Sequence, residues 1–172
     1  MQKQKEVNFL DAGHASYPPQ WAPDGKKFAV AYLKSDFYMM DIIGVEKRLT
    51  DLEKAYPSYD LKIRLWSWSP DGQKIAFWLD LLSDKKLFEE RLIVLDTLSV
   101  ELTDYCRFGD QVQISPGTLD YAPAPVWSPD GSALLIENRD HDVRSELIVV
   151  DINQHLATQI GENLYPYDWL SK

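Results

Sequence analysis

Three aspartates have the regular spacing that most invites a chemical role. Asp41, Asp96 and Asp151 lie 55 residues apart, and each closes a short apolar run. Carboxylates serve as acids and bases in catalysis and as ligands for Ca²⁺. An aspartate at the end of a strand also accepts hydrogen bonds from backbone amides and starts a turn. Because an active site normally breaks the symmetry of a repeat, we interpret the three aspartates as structural.

The histidines and the single cysteine are the other candidates for chemistry. Our strand assignment places His14 and His141 in loops on one face and His155 in a turn on the opposite face, which disfavours a three-histidine metal site. Cys106 is the only cysteine, which excludes an internal disulfide and a CxxC metal site. The chain carries no phosphate-binding glycine loop, HExxH or G-x-S-x-G motif. We therefore predict a protein that is not an enzyme, with no catalytic residue, metal or cofactor.

The net charge and the hydropathy of the chain limit the classes of partner that it can bind. The 172 residues include 18 Lys and Arg against 27 Asp and Glu, which gives a formal net charge of −9. This charge opposes binding to nucleic acid and to anionic lipid, because the field repels phosphate. No stretch approaches the roughly 18 apolar residues of a membrane span. We expect neither nucleic-acid binding nor membrane insertion.

A five-residue pattern, Trp-Ser/Ala-Pro-Asp-Gly, organises the chain and occurs at residues 21–25, 68–72 and 127–131. Proline presets the first turn position, aspartate tolerates the second, and glycine accepts the left-handed conformation that closes a tight hairpin. We predict positive φ at the three glycines and a buried Trp127. The residues assigned to structure by the repeat are Trp21, Pro23, Asp24, Gly25, Asp41, Trp68, Pro70, Asp71, Gly72, Asp96, Trp127, Pro129, Asp130, Gly131, Asp151 and Trp169.

Each copy of the pattern belongs to a unit of four short strands, which we label A to D. Strand A ends at the Trp, B follows the Gly, C ends at the recurring Asp, and D follows a short turn. The B and C runs are apolar at nearly every residue, as in strands whose sheet is covered on both faces. Sheets stacked radially in a propeller meet that condition. The predicted class is all-β, with antiparallel four-stranded blades.

The pattern "WSPDG, two residues, apolar strand, loop, apolar strand, Asp, loop, LTD" resembles the TolB-type, WD-like β-propeller repeat over nearly the whole chain. The resemblance implies a β-propeller. It also implies a relationship to periplasmic partner-binding proteins or to the propellers that precede serine peptidase domains. A periplasmic or extracellular location for the intact parent follows from the same resemblance.

We predict three complete blades, with one additional strand before the first blade and one after the last. Blades are predicted at approximately 15–51, 62–104 and 121–160, with flanking strands at 7–11 and 165–170. A propeller closes with about four blades or more. We therefore expect residues 1–172 to form a single partial propeller that lacks upstream blades, does not close into a ring, and exposes an apolar outer face on each terminal blade.

The D–A and B–C loops emerge on one face and vary most between repeats, and variable loops on a rigid scaffold commonly bind partners. The candidate partner-binding residues are His14, Asp84, Lys85, Tyr105, Arg107, Phe108, Arg139, His141 and Arg144. Trp66 and Trp78 allow ligand stacking as an alternative to inter-blade packing, and we favour packing.

These features predict a non-catalytic scaffold that binds a protein or peptide. The main alternative is an accessory propeller of a serine peptidase or other hydrolase whose catalytic domain lies elsewhere. A propeller enzyme with its site in the central channel and a remnant without function of its own also remain open.

Overall fold

The computed structural model describes residues 18–32, 36–84, 86–105, 123–139, 145–164, 166 and 169. Within them, twelve strands form three antiparallel four-stranded sheets. Sheet 1 contains β1 (Gln20–Trp21), β2 (Lys27–Tyr32), β3 (Asp36–Asp41) and β4 (Glu46–Arg48). After the single helical turn α1 (Leu52–Ala55), sheet 2 contains β5 (Asp60–Trp68), β6 (Lys74–Ser83), β7 (Lys86–Asp96) and β8 (Leu102–Asp104). Sheet 3 contains β9 (Val126–Trp127), β10 (Ala133–Arg139), β11 (Ser145–Asp151) and β12 (Leu156–Glu162).

The repeated turn has the predicted backbone. Gly25, Gly72 and Gly131 have φ of 65°, 66° and 72°, which confirms the left-handed position after Pro-Asp. In the third copy, Asp130 Oδ1 accepts hydrogen bonds from the Ser132 amide at 3.0 Å and the Ser128 hydroxyl at 2.7 Å. The turn is thus stabilised by side chains within the motif itself.

The recurring aspartates at the ends of the C strands hold the next turn. Asp96 Oδ1 accepts the amides of Leu98 at 2.9 Å and Ser99 at 3.0 Å, and its Oδ2 lies 2.9 Å from Lys74 Nζ. Asp41 and Asp151 accept two backbone amides each in the same way. These carboxylates therefore act as turn-stabilising acceptors.

Two hydrophobic cores join the sheets in sequence. Between sheets 1 and 2, Phe37 meets Trp66 edge-on at a centroid distance of 5.3 Å, and Trp66 is 1% exposed. Between sheets 2 and 3, Trp78 and Trp127 pack in one cluster, and Trp78 Nε1 donates to the Pro123 oxygen at 3.0 Å. The burial of Trp127 is confirmed, and Trp66 and Trp78 pack between sheets as favoured.

The three sheets do not close into a ring, which agrees with a partial propeller. The expectation of bare apolar outer faces is correct for Trp21, which shares the outer face of sheet 1 with Met40, and wrong for three other residues on the outer faces. Val30 and Met40 on the outer face of sheet 1 are 3% and 7% exposed, and Leu135 on the outer face of sheet 3 is 7% exposed. Trp21 alone among the three turn tryptophans is largely exposed, at 57%.

The first flanking strand, at 7–11, lies outside the described residues. Of the second, at 165–170, the structure describes Pro166 and Trp169, neither of which is in a strand. The described blades span 20–48, 60–104 and 126–162, close to the predicted ranges.

Candidate partner-binding face

Among the described strands, those of sheet 2 extend farther than those of sheets 1 and 3 toward the ends that carry the D–A and B–C connections. The repeat equates Ile75 with Phe28 and Leu134, because each is the Cα partner of its turn tryptophan. From that point β6 continues to Ser83, which is three or four residues farther than β10 or β2 reaches. At about 3.4 Å per residue, the projection is roughly 10–14 Å. We call this part of sheet 2, residues 60–64, 79–83 and 86–91, the extension.

Strand β5 contributes a third strand to the extension. β5 has nine residues where β1 and β9 have two, and Asp60 to Ile63 pair with Leu82 to Leu79. A two-stranded hairpin alone would be marginally stable in water, and the third strand gives it a packed face.

The side of the extension that faces sheet 1 is apolar and packs against α1. Leu61, Ile63 and Leu81 are at most 8% exposed and belong to the same core as Leu52 of α1. The D–A connection of sheet 1 therefore packs beneath the extension and fixes its position.

The opposite side of the extension buries three charged residues. Arg64, Asp80 and Glu90 are 6%, 0% and 3% exposed. Arg64 Nε donates to Asp80 Oδ1 at 2.8 Å, and Arg64 also forms an ion pair with Glu90. Asp80 and Glu90 are direct cross-strand partners, so the guanidinium lies between two carboxylates on one face. Burial raises the pKa of Asp80, and Arg64 opposes that rise.

The position of Arg64 depends on an irregularity in β5. Pairing between β5 and β6 shifts register between Ile63 and Trp66, which is a bulge. A bulge breaks the strict alternation of side chains, so Arg64 and Ile63 are buried in succession. The bulge thus aims the guanidinium at Asp80.

A second set of charges ties the base of the extension to the edge of sheet 2. Arg91 forms ion pairs with Glu89 and, at 3.2 Å, with Asp104 of β8. The Tyr56 hydroxyl, which follows α1, donates to Asp104 Oδ2 at 3.2 Å. The extension is therefore anchored on both of its sides.

Apart from Tyr105, the predicted partner-binding residues fall into three groups. Asp84 is exposed at the tip of the β6–β7 hairpin, with φ of 50°. Arg139 ends β10, and its side chain is outside the described part. The predicted residues outside the described ranges are His14, Lys85, Arg107, Phe108, His141 and Arg144.

Tyr105 lies between sheets 2 and 3 rather than on the projecting face. Its side chain is 6% exposed, its hydroxyl donates to the Ile152 oxygen at 3.1 Å, and its ring stacks on His155 at 5.4 Å. Burial raises the pKa of Tyr105 to about 12. This ring borders a groove of about 750 Å³ on the face opposite the extension. That Tyr105 and Asp84 share one partner-binding surface stays a prediction.

Sequence reasoning missed the extension and its buried charges. The detectable signal was the longer spacing from Gly72 to Asp96 than from Gly25 to Asp41, with Asp80 inside an apolar run. Within the described ranges, no three potential metal ligands cluster, and no helix has the length and apolarity to cross a membrane.

Comparison with known proteins relates the chain to propellers by structure alone. No protein-family model and no curated protein matches the sequence. TolB from Acinetobacter baumannii superposes with a TM-score of 0.55 at 18% identity, covering 83% of this chain and 31% of that one. A prolyl endopeptidase gives 0.55 at 21% identity, covering 85% and 22%. Putative TolB from Agrobacterium tumefaciens gives 0.54 at 22% identity, covering 85% and 50%.

These likenesses show the fold, a TolB-like β-propeller of which the described chain forms part. The chain spans half or less of the length of each of these structures.

Proposed function

We propose that this chain is a non-catalytic β-propeller scaffold that binds a protein or peptide at the face of its D–A and B–C connections. The observation that carries the proposal is the extension of sheet 2. It carries Asp60 and Asp84 beyond the ends of the described strands β2 and β10, with Lys62 at its base, and all three side chains are exposed. Binding sites are commonly built on such projecting, irregular parts of a rigid scaffold.

Rigidity supports the proposal because a preorganised surface loses little entropy on binding. The ion pairs of Arg64 and Arg91 and the apolar packing on α1 hold the extension in one position. Burying charges costs desolvation energy, and hydrophobic residues of similar volume often serve stability as well or better. A role in fixing the orientation of the extension gives a reason for this arrangement.

Selection of a displayed peptide library against the purified chain tests the proposal. We expect enriched peptides to lose at least tenfold in affinity with the variant Asp60→Lys/Lys62→Glu/Asp84→Lys. The matched control is Asn153→Lys/Gln154→Lys in the exposed β11–β12 turn on the opposite face, which makes the same net change in charge and should bind normally. Equal loss in both variants, or peptides insensitive to the extension, would contradict this location of the site.

A second candidate is an accessory propeller of a serine peptidase or other hydrolase. The likeness to a prolyl endopeptidase and to tricorn protease, at 21% and 15% identity, favours it. The test is a hydrolysis assay with fluorogenic prolyl peptides on the complete gene product and on this chain alone. Activity confined to the complete product, and altered by the extension variant, would favour the accessory role over a separate scaffold.

A further inference from the structure

We propose that the outer face of sheet 1, at the end that carries its β1–β2 and β3–β4 turns, is a docking surface for a further four-stranded sheet with the same tryptophan turn. Sheets 2 and 3 each meet the sheet before them through contacts that repeat from one junction to the next. Sheet 1 carries the residues for the same contacts but leaves them uncovered. We call these residues, Trp21, Gly25 and Ile42, the leading contacts.

The first repeated contact is a hydrogen bond from a turn tryptophan to the sheet before it. Trp127 Nε1 donates to the Ser67 oxygen at 3.3 Å, and Trp68 Nε1 donates to the Gln20 oxygen at 3.1 Å. Both tryptophans are at most 9% exposed, whereas Trp21 is 57% exposed. A buried tryptophan usually finds a partner for its N–H. The partner that fits Trp21 is therefore a backbone oxygen on the first strand of a preceding sheet.

The second repeated contact brings the glycine of one turn against the proline of the turn before it. A Cβ on Gly72 would lie 3.4 Å from Pro23 Cδ, and one on Gly131 would lie 3.8 Å from Pro70 Cδ. A Cβ on Gly25 would have no described atom within 4 Å. Successive turns are thus in contact, and Gly25 offers the same contact to a turn that would come before it.

The third repeated contact covers the residue that follows the recurring aspartate. Ile42, Thr97 and Ile152 hold this position, and the amide of each donates to the oxygen of the residue after its turn glycine. Thr97 and Ile152 are 1% and 8% exposed, and Ile152 packs in the core that joins sheets 2 and 3. Ile42 is 68% exposed. Exposure at this position therefore marks a junction that has no sheet on its other side.

The next residue of each turn provides an internal comparison. Ile43 and Leu98 correspond, because the amide of each donates to Oδ1 of its recurring aspartate. Ile43 is 76% exposed, and Leu98 is 67% exposed although sheet 1 precedes its sheet. A preceding sheet thus covers the position of Ile42 and leaves the position of Ile43 in solvent.

The combination of the three contacts identifies the occupant as a sheet of the same kind. Such a sheet offers a backbone oxygen for Trp21, a turn proline for Gly25 and a cover for Ile42 at the same time. A single apolar segment could cover Ile42 but would not reproduce the other two contacts. The occupant therefore resembles the sheets that already precede sheets 2 and 3 within the chain.

A second copy of this chain is a poorer occupant, because the matching surface of its last sheet is already in use. Trp169 Nε1 donates to the Val126 oxygen at 3.1 Å. Val126 directly precedes Trp127, so this oxygen corresponds to those that accept from the other turn tryptophans. Trp169 therefore occupies the acceptor that Trp21 of another copy would need.

A variant of the chain with this acceptor free is the probe. Trp169→Ala frees the Val126 oxygen, and Trp21→Ala in the same polypeptide prevents the probe from docking onto itself. Trp169 is half-buried and lies outside the strands, so the three sheets should remain, and urea denaturation checks this. Trp169→Val keeps more apolar cover and replaces Trp169→Ala if the first probe does not unfold cooperatively.

We expect the wild-type chain to form a one-to-one complex with the probe in sedimentation velocity and to remain monomeric on its own. Ile42→Asp in the wild-type chain should weaken the complex at least tenfold, because docking would bury an unpaired carboxylate. Ile43→Asp is the matched control and should weaken it less than threefold. Both isoleucines are exposed in the free chain, so neither change should affect its folding.

Trp21→Phe in the wild-type chain tests the hydrogen bond itself. It keeps an aromatic ring and removes the N–H, so it should weaken the complex about two- to tenfold. Absence of a complex with a folded probe, equal weakening by the two isoleucine variants, or indifference to Trp21→Phe would overturn the proposal. Dimerisation of the wild-type chain through Trp21 would also overturn it, because the occupant would then be a second copy.

Discussion

The indole Nε1 of Trp127 donates a hydrogen bond of 3.3 Å to the backbone oxygen of Ser67, the residue before Trp68 in the preceding sheet. The same relationship recurs twice. Trp68 Nε1 donates to the Gln20 oxygen at 3.1 Å, and Trp169 Nε1 donates to the Val126 oxygen at 3.1 Å. Trp68 and Trp127 thus end their own strands and also join their sheets to the one before, and Trp169 makes the same kind of bond to sheet 3.

Trp127→Ala should lower the free energy of unfolding by about 3–5 kcal/mol, as expected for truncation of a large buried side chain. Trp127→Phe keeps most of the packing and loses the hydrogen bond to Ser67, so its loss should be about 1–2 kcal/mol. Trp21→Ala is the control, because Trp21 is 57% exposed, and its effect should be the smallest of the three. Urea denaturation measures all three, and an equal effect of Trp21→Ala and Trp127→Ala would contradict this account.

Val100→Gly should stabilise the chain by about 1 kcal/mol. Val100 has φ of 63°, a conformation that is strained for a β-branched residue. The corresponding turn of sheet 1 has Gly44 there, with φ of 83°. Leu98→Gly in the same turn is the control and should destabilise, because Leu98 is not in the left-handed region and glycine adds only unfolded-state entropy. Thermal unfolding measures both, and a lower midpoint for Val100→Gly would refute the strain.

Ser128→Ala should cost about 1 kcal/mol at pH 7, because the hydroxyl donates to Asp130 and accepts the Ala133 amide at 2.9 Å. The reciprocal change in the first repeat, Ala22→Ser, should stabilise, because that turn lacks the hydroxyl. Urea denaturation at pH 7 compares the two variants. A stabilising Ser128→Ala would contradict the role of this hydroxyl.

The decrease in the free energy of unfolding at acid pH should depend on Asp130. The backbone amide of Ser132, followed by the Ser128 hydroxyl, lowers the pKa of Asp130 to about 2. A depressed folded-state pKa contributes stability that is present above about pH 4 and is lost as the pH falls toward 2. Asp130→Asn should flatten this part of the profile. Thermal unfolding between pH 2 and 6, with an NMR titration of the carboxyl group, provides the measurement, and an ordinary pKa for Asp130 would contradict it.

Arg64→Met should destabilise by about 3–5 kcal/mol at pH 7, because it leaves the buried carboxylates of Asp80 and Glu90 facing each other. Without the guanidinium the already raised pKa of Asp80 should rise further. Protonation then relieves the repulsion, so the loss should shrink as the pH falls from 7 to 5. Arg48→Met is the control, because Arg48 pairs with Asp36 while its side chain is 47% exposed, and it should cost less. If the decrease in unfolding free energy caused by Arg64→Met did not change with pH, it would not come from the buried carboxylates, and this account would be wrong.

The repeat pattern by itself determined the blades. Pro-Asp-Gly specifies a turn through local backbone preference, and the apolar runs that follow specify strands buried on both faces. Strands that end at Trp68, Asp96 and Asp151 could therefore be placed to the residue. The packing roles of Trp66 and Trp78 followed from the same logic, because their bulk fits the space between stacked sheets.

Only the tertiary structure decided how the projecting face is built. Arg64, Asp80 and Glu90 come from three strands, and a bulge in β5 is needed to bring the guanidinium to the carboxylates. A charged residue inside an apolar run suggests the end of a buried strand when only the sequence is considered. Its burial is possible only with an oppositely charged partner, and that partner lies on another strand. The burial of Tyr105 likewise depends on a non-local partner, since its acceptor at Ile152 belongs to the next sheet. Local preferences set the turns and strands, whereas non-local pairing sets which charges and rings meet.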